Sequence, residues 1–404
     1  MMNAATREFV LVHAGDDVAR LALQGVRDPN VDLRAALVQI EGLERARRKL
    51  PSWAAMEGME WPSRLALEQC SSEQAARYKA SLVGPGRLLV DLTGGLGVDF
   101  AFMAQKFQQA VYVERQEELA LLAERNFQRL GIRAEVVIGD AVAYLESMSP
   151  ADVVYVDPAR RDEHGGRIYD ISHCHPNVVA LRGNLLMRAD TLMLKLSPMM
   201  DWHKAMADMG EDKVDEVHIV SLGGECKELL LLLRKRPERR LLVIVEGERR
   251  IEMGLDEWTS GTIGASLWEG ELTEGLYVYD PGPGIMKAGI FAEVAQRYSL
   301  RQLSKESHLM VSRERVEEFP GRAFRLRSVS RMKGREMAAA LSSLRQANVA
   351  VRGFPLTASE LKRRLRLRDG GDTYIFAATL VGGGRVLLFC EKCKDERPFL
   401  AENL

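Results

Sequence analysis

Residues 90–100 read VDLTGGLGVDF. Gly94, Gly95 and Gly97 fall within four positions, between an apolar run that reads as a strand and a stretch that reads as a helix. Glycine permits tight turns and lets the main chain approach a ligand with no Cβ in the way. A phosphate-binding loop would continue Gly-Lys-Ser/Thr, and this one does not. It carries acid at both ends instead, Asp91 before and Asp99 after. An acidic rim suits a cationic amine and not a pyrophosphate.

Outward from this loop, short apolar runs alternate with helical periodicity. Strands are expected at 87–92, 110–114, 134–138, 152–157, 189–196 and 215–222, and helices near 98–107, 116–129, 140–147, 176–187 and 199–208. Strand–helix alternation implies parallel crossovers and a doubly wound α/β sheet, whose ligands bind outside the carboxyl ends of the strands. Acids stand at those ends. Glu114 closes AVYVE, 23 residues after Asp91, where a carboxylate accepts from the two ribose hydroxyls. Asp140 closes AEVVIGD, where a carboxylate accepts from an adenine amino group, and Asp157 closes ADVVYVD ahead of Pro158. A ligand with an amino-acid head, a ribose and an adenine is S-adenosylmethionine. A nicotinamide cofactor is the alternative, and Thr93-Gly94-Gly95 departs from its G-x-G-x-x-G spacing.

The chain has 404 residues, 46% of them apolar, and a formal net charge of −1. Several domains are expected, and overall charge names no partner. No apolar run approaches the ~18 residues of a membrane span. The N-terminus lacks a signal-like apolar region, and five cysteines make no disulfide framework. A soluble protein of the reducing cytoplasm is expected. Residues 1–83 read as a helical segment, with Ser71 or Ser72 capping SSEQAARYKASLV. The run KELLLLLRK after Gly223-Gly224 is either the second strand of a hairpin or a helix, because its leucines carry no period. RLLVIVEG at 240–247 is a further strand, and a helix is expected over 286–298. Between Arg322 and Arg368 stand thirteen Lys/Arg against two Glu. A basic segment in a near-neutral chain is either a phosphate footprint or a set of solvated faces offset by acids nearby in space.

The loop, the strand-end acids and DPARR at 157–161 resemble the motifs of a class I S-adenosylmethionine-dependent methyltransferase. More widely, ALEQCSSEQAARYKA, LTGGLGVDFAFMA, GGECKELL, YDPGPGIMKAG and LRLRDGGDTYIFAAT resemble a bacterial methyltransferase family with a C-terminal THUMP-like domain. The resemblance implies a Rossmann-like methyltransferase domain over 84–248, a ferredoxin-like module over 249–327 and a THUMP-like domain over 328–404. It implies Asp91, Thr93, Gly94, Gly95, Gly97, Asp99, Glu114 and Asp140 as cofactor-binding residues. True THUMP domains bind RNA, which agrees with the basic segment.

Amino-group methyltransferases acting on bases often show Asp/Asn-Pro-Pro-aromatic at the fourth strand end. The acid and a proline-held carbonyl accept from the target amine and align its lone pair for in-line attack, so catalysis is mostly positioning. Here Asp157 and Pro158 fit, but Ala159 and Arg160 replace the second proline and the aromatic. Arg160 and Arg161 are expected to hold the acceptor by stacking or through phosphate, and Tyr169 to supply the missing ring. No cysteine stands beside Pro158 or at the fifth strand end, so ring-carbon methylation through a thiolate is set aside. Lys195, inside a core strand, either reaches the pocket or snorkels. Cys390-x-x-Cys393 and SHCHP at 172–176 are weak metal signals, and no metal site is assigned. The expected function is methyl transfer to RNA, tRNA or rRNA, at a base nitrogen. The alternatives are a protein or small-molecule methyltransferase, and an RNA-binding protein that keeps the fold without turnover.

Overall fold

The structure, a computed structural model, describes residues 2–160, 170–256, 266–332, 335–342 and 344–393. The chain forms two compact units, one of residues 1–217 with 228–240 and the other of 218–227 with 241–404.

The first unit opens with helices. Leu33–Lys49 begins at Asp32, whose side chain accepts from Ala35 N–H, and ends on Arg47, Arg48 and Lys49, charges that suit the negative end of the helix dipole. Its buried face carries Ala36, Ile40, Gly42 and Ala46. A Cβ at Gly42 would lie 2.4 Å from the Cβ of Trp61, so that indole presses directly on helix backbone. Glu73–Ser81 is capped by Ser72, whose hydroxyl accepts from Ala75 N–H. Ser71 turns inward instead, to Asp99.

The sheet of this unit follows. Its strands are β1 (Gly86–Asp91), β2 (Phe107–Glu114), β3 (Glu135–Ile138), β4 (Ala151–Val156) and β7 (Ala189–Leu196), while the two-residue β5 (Ala159–Arg160) and β6 (Cys174–His175) form a separate ribbon. β9 (Glu225–Arg234), in this unit from Glu228 on, completes the set, and β8 (Val214–Leu222) passes from this unit into the second after Val217. Within the unit the sheet order is β9-β7-β4-β1-β2-β3. β1 pairs in parallel with both β2 and β4, and β4 in parallel with β7, while β9 runs antiparallel to β7. From β1 the chain winds toward β3, then restarts at β4 on the other side. The crevice above β1 and β4 is therefore a topological switch point.

Helices Val98–Ala104, Glu117–Arg129, Ala141–Ser147, Val178–Arg188 and Trp202–Met209 match the periodicity within a few residues. Of the two readings of KELLLLLRK, the strand holds. Gly223 and Gly224, with φ of 62° and 79°, make the two-residue turn between β8 and β9, a conformation that favours glycine at both positions. Leu229 to Leu233 are all buried, on both faces of β9, which is why no alternation showed.

The second unit contains the antiparallel pair β10 (Leu241–Glu246) and β11 (Arg249–Gly254). Its larger sheet is built from β12 (Tyr277–Pro281), β13 (Arg301–Gln302), β14 (Met310–Ser312), β15 (Gly321–Arg331), β16 (Asn348–Arg352), β17 (Thr373–Thr379) and β18 (Arg385–Lys392). The order is β13-β14-β12-β15-β18-β17-β16, antiparallel throughout except for β16 with β17. Alternation along the strands feeds two cores. Val278, Phe324, Leu326, Phe376 and Leu388 fill one, while Ile375, Leu387 and Phe389 face Leu361 and Leu365 of the helix Ala358–Leu365. That helix starts with a capping box between Thr357 and Glu360. The single helix expected over 286–298 is two, Pro283–Ala288 and Phe291–Arg297, broken at Gly289 with φ of 76°.

The first unit is stitched by charge as well as apolar packing. Lys79, 0% exposed, places Nζ 2.7 and 2.6 Å from the two carboxylate oxygens of Glu228 on β9. Removing one partner of a buried pair costs about 3–5 kcal/mol, mostly because the other charge is stranded. Lys79→Met is expected to lower the unfolding free energy by that order, and adding Glu228→Gln to recover part of it, as read by thermal unfolding of the two variants beside wild type.

Candidate active site

The site lies at the carboxyl ends of β1 to β4. The chain leaving β1 keeps two more sheet-like hydrogen bonds, and the chain leaving β3 keeps one. Leu92 N–H donates to Tyr155 O (3.1 Å), Gly94 N–H to Val113 O (2.9 Å), and Gly139 N–H to Glu114 O (3.0 Å). The loops after these strands therefore start from a set backbone.

The glycine loop sits on an aromatic floor. A Cβ at Gly94 would lie 2.3 Å from Tyr112 Cζ, and one at Gly97 would lie 2.5 Å from Phe127 Cζ. Tyr112, Phe127 and Phe100 pack ring to ring with centroids 5.1 to 5.5 Å apart. Two of the three glycines are thus required by the packing beneath them. Gly95 differs. With φ of 63°, an added Cβ would meet nothing closer than Thr93 O at 3.9 Å. Its open side is where main chain can meet a ligand. The Tyr112 hydroxyl donates to Gly95 O from below, a contact hidden in the sequence because AVYVE reads as an ordinary apolar strand.

Acids ring this loop. Glu114 accepts from Gly95 N–H through Oε2 (2.9 Å) and from Gln116 N–H through Oε1 (2.8 Å). Oε1 also accepts from the Gln116 side-chain amide (3.3 Å), while Oε2 keeps a further lone pair for a hydroxyl donor. Asp91 is 1% exposed and accepts from Thr93 N–H at 2.8 Å. Burial pushes its carboxyl up to about 8, with the charges of Asp99 and Asp157 adding to the rise and the Thr93 N–H opposing it. Asp140 caps the helix Ala141–Ser147 through Oδ1, which accepts from Val142 and Ala143 N–H, and its Oδ2 stands 3.8 Å from Nε2 of His175. Asp99, expected on the far rim of the loop, instead turns inward. Its Oδ2 accepts from Tyr155 Oη (2.7 Å) and Ser71 Oγ (2.8 Å), and its Oδ1 lies 3.2 Å from Lys79 Nζ.

Asp157 and Pro158 follow β4. Asp157 N–H donates to the Thr93 hydroxyl at 2.7 Å, which ties this turn to the glycine loop. The Asp157 carboxylate is paired through Oδ2 with Lys195 of β7. Lys195 thus reaches the pocket and does not snorkel. Its neighbours in LMLKL read as core, so its charge was the only signal in the sequence. Beyond Pro158, Ala159 and Arg160 form β5 and pair antiparallel with His175 and Cys174 of β6. SHCHP therefore supplies a strand of this small ribbon. Arg161 and Tyr169 lie outside the described residues.

The basic segment of the second unit is partly neutralised. Arg322 and Arg352 both bind the buried carboxylate of Asp280, Arg327 pairs with Glu391, and Lys362 with Asp369. Arg363, Arg364, Arg366 and Arg368, at and beyond the end of the helix Ala358–Leu365, are exposed. No helix among the described residues is long and apolar enough to cross a membrane.

Comparison with known proteins agrees with this architecture. A ferredoxin-like domain model matches residues 277–320, and a THUMP domain-like model matches residues 321–392. The crystal structure of a candidate methyltransferase from Porphyromonas gingivalis W83 is similar at 33% identity and a TM-score of 0.84, over 96% of this chain and 98% of that one. Partial likeness extends to a class I S-adenosylmethionine-dependent methyltransferase assigned in Listeria monocytogenes. The figures are 12% identity and a TM-score of 0.39, over 60% of this chain and 94% of that one. For M. capricolum TrmK in complex with S-adenosylhomocysteine they are 8% and 0.33, over 41% and 69%. Curated proteins give no match. With the Porphyromonas protein aligned along almost its whole length, the chain belongs to the bacterial family of class I S-adenosylmethionine-dependent methyltransferases that carry a C-terminal THUMP-like domain.

Proposed function

We propose that this protein transfers the methyl group of S-adenosylmethionine to a base nitrogen of an RNA, either tRNA or rRNA. Thr93 carries the reading. Its N–H donates to Asp91 and its hydroxyl accepts from Asp157 N–H, so one residue joins the amine-binding end of the glycine loop to the acceptor turn.

The residues fit the cofactor. Gly95 leaves the loop backbone open, Glu114 Oε2 has a lone pair for a ribose hydroxyl, and the half-exposed carboxylate of Asp140 suits an adenine amino group. When bound, S-adenosylmethionine supplies an electrophilic methyl group on a sulfonium centre. Asp91 accepts from the amino group of its amino-acid head. Asp157 accepts from the target amine and, with the carbonyl of Pro158, orients the nitrogen lone pair. The amine loses its proton after transfer, so no strong base is needed. Arg160, with Arg161 and Tyr169, is assigned to the acceptor base and its phosphate. The family likeness to THUMP domains and the exposed arginines at 363–368 support RNA as the acceptor.

Three outcomes are expected. The first concerns Asp91. A carboxyl raised to about 8 is mostly protonated at pH 7, and a cation brought beside it restores ionisation. Calorimetry in buffers of different ionisation enthalpy should show close to one proton released per cofactor bound at pH 7. Asp91→Asn should release none and bind at least ~10-fold more weakly, a loss of about 1.4 kcal/mol. In the unliganded protein the same carboxyl makes stability fall as pH rises from 3.8 to about 8, because the folded state holds a proton that the unfolded chain gives up. That fall should vanish in Asp91→Asn.

Secondly, labelled methyl should pass into RNA taken from cells lacking this gene, and Asp157→Ala should reduce it by ~100-fold. Label in protein alone would overturn the RNA assignment, and cofactor binding without label in any pool would overturn catalysis. Thirdly, Arg363→Glu with Arg364→Glu should weaken RNA binding in filter assays and flatten the log–log salt dependence by about one to two units.

A further inference from the structure

A lysine in the middle of a core strand needs a reason, since burying an ammonium is costly unless it is paired. The parallel register of β4 with β7 sets Val156 opposite Leu194, which brings Asp157 level with Lys195 one step further on. Behind Lys195 lie Asp99, Glu228 and Lys79, a buried group. Burial pulls the Lys195 ammonium down, but Asp157, Asp99 and Glu228 together hold it above the ordinary lysine range. Lys79 already bonds both oxygens of Glu228 and lies 3.2 Å from Asp99. Two lysines thus balance Asp99 and Glu228 with no help from Asp157. Among the described residues, the direct ion pair of Lys195 is nonetheless with Asp157, whose side chain is 38% exposed at the mouth of the site while Lys195 is 14% exposed. The lysine approaches the aspartate from the protein side. It engages Oδ2, and the Asp157 side chain stays partly open to solvent.

We infer that Lys195 is a positioning residue of the transfer step, with its ammonium holding one oxygen of Asp157 so that the other faces the acceptor amine. The inference rests on the methyl-transfer reading. The buried carboxylates Asp99 and Glu228 attract the ammonium from within, and Asp157 attracts it from the mouth. In this reading Lys195 acts through Asp157 and not by its own contact with cofactor or acceptor.

The test is a double-mutant cycle on the full chain with labelled S-adenosylmethionine and RNA from cells lacking the gene. Lys195→Met should keep cofactor affinity within ~2-fold and lose ~10- to 100-fold in the transfer rate at saturating RNA, because a displaced carboxylate misaligns the amine. Lys195→Arg should restore most of that rate. In an Asp157→Asn background, Lys195→Met should cause little further loss. An equal loss in both backgrounds would show that Lys195 acts independently of Asp157 and overturn the inference. Should Lys195→Met not fold, Lys195→Gln, which keeps a donor, carries the same comparison. Transfer into no pool by wild type would fail the proposed function. The positioning claim would then be judged from crystal structures of wild type and variant, and an unchanged Asp157 carboxylate without the ammonium would overturn it.

Discussion

Charge taken out of water must be balanced by charge close at hand, and the first unit is organised around that requirement. Lys79 from the N-terminal helices, Asp99 from the helix after the glycine loop, Glu228 from β9 and Lys195 from β7 meet beneath the carboxyl ends of the central strands. None tolerates the removal of a neighbour without leaving a desolvated ion. The N-terminal helices are accordingly not an ornament on a nucleotide-binding sheet. Ser71 and Lys79 supply a hydroxyl and an ammonium to the same cluster that lies behind the Asp157–Pro158 turn. Tyr155 adds its hydroxyl from β4.

The glycine loop illustrates how one motif answers two demands. Beneath it, Tyr112 and Phe127 exclude any side chain at Gly94 and Gly97. Above it, Gly95 keeps the backbone bare. The tyrosine hydroxyl and the Glu114 carboxylate grip Gly95 through its carbonyl and its N–H. The loop is therefore held in shape before any ligand arrives, which is the condition for binding without a large ordering penalty.

Much of this was legible in the chain. Alternation of short apolar runs with 3.6-residue periodicity gave the parallel sheet, and acids at successive strand ends pointed to the crevice. What stayed hidden has physical causes. KELLLLLRK is buried on both faces, so neither period could appear. Asp99 looked like a loop acid because sequence does not say which way a helix turns its first residues, and here Ser71 and Lys79, 28 and 20 positions away, draw it inward. Lys195 stayed between two readings, because its partner depends on strand register and not on spacing. In the second unit the thirteen basic residues between 322 and 368 overstated the free charge. Asp280, 42 positions from Arg322, takes up two of them in a buried fork.

The larger sheet of the second unit carries a consequence for how such a protein is inherited. β12 belongs to the ferredoxin-like match and β15 to the THUMP-like match, yet they are hydrogen-bonded neighbours from Tyr277↔Arg325 to Pro281↔Gly321. A recombination breakpoint at that junction would leave each half with an unpaired strand edge, and bare edges invite aggregation. The two pieces carry separate labels but form one exchangeable cassette. A lineage would have to gain or lose them in a single event.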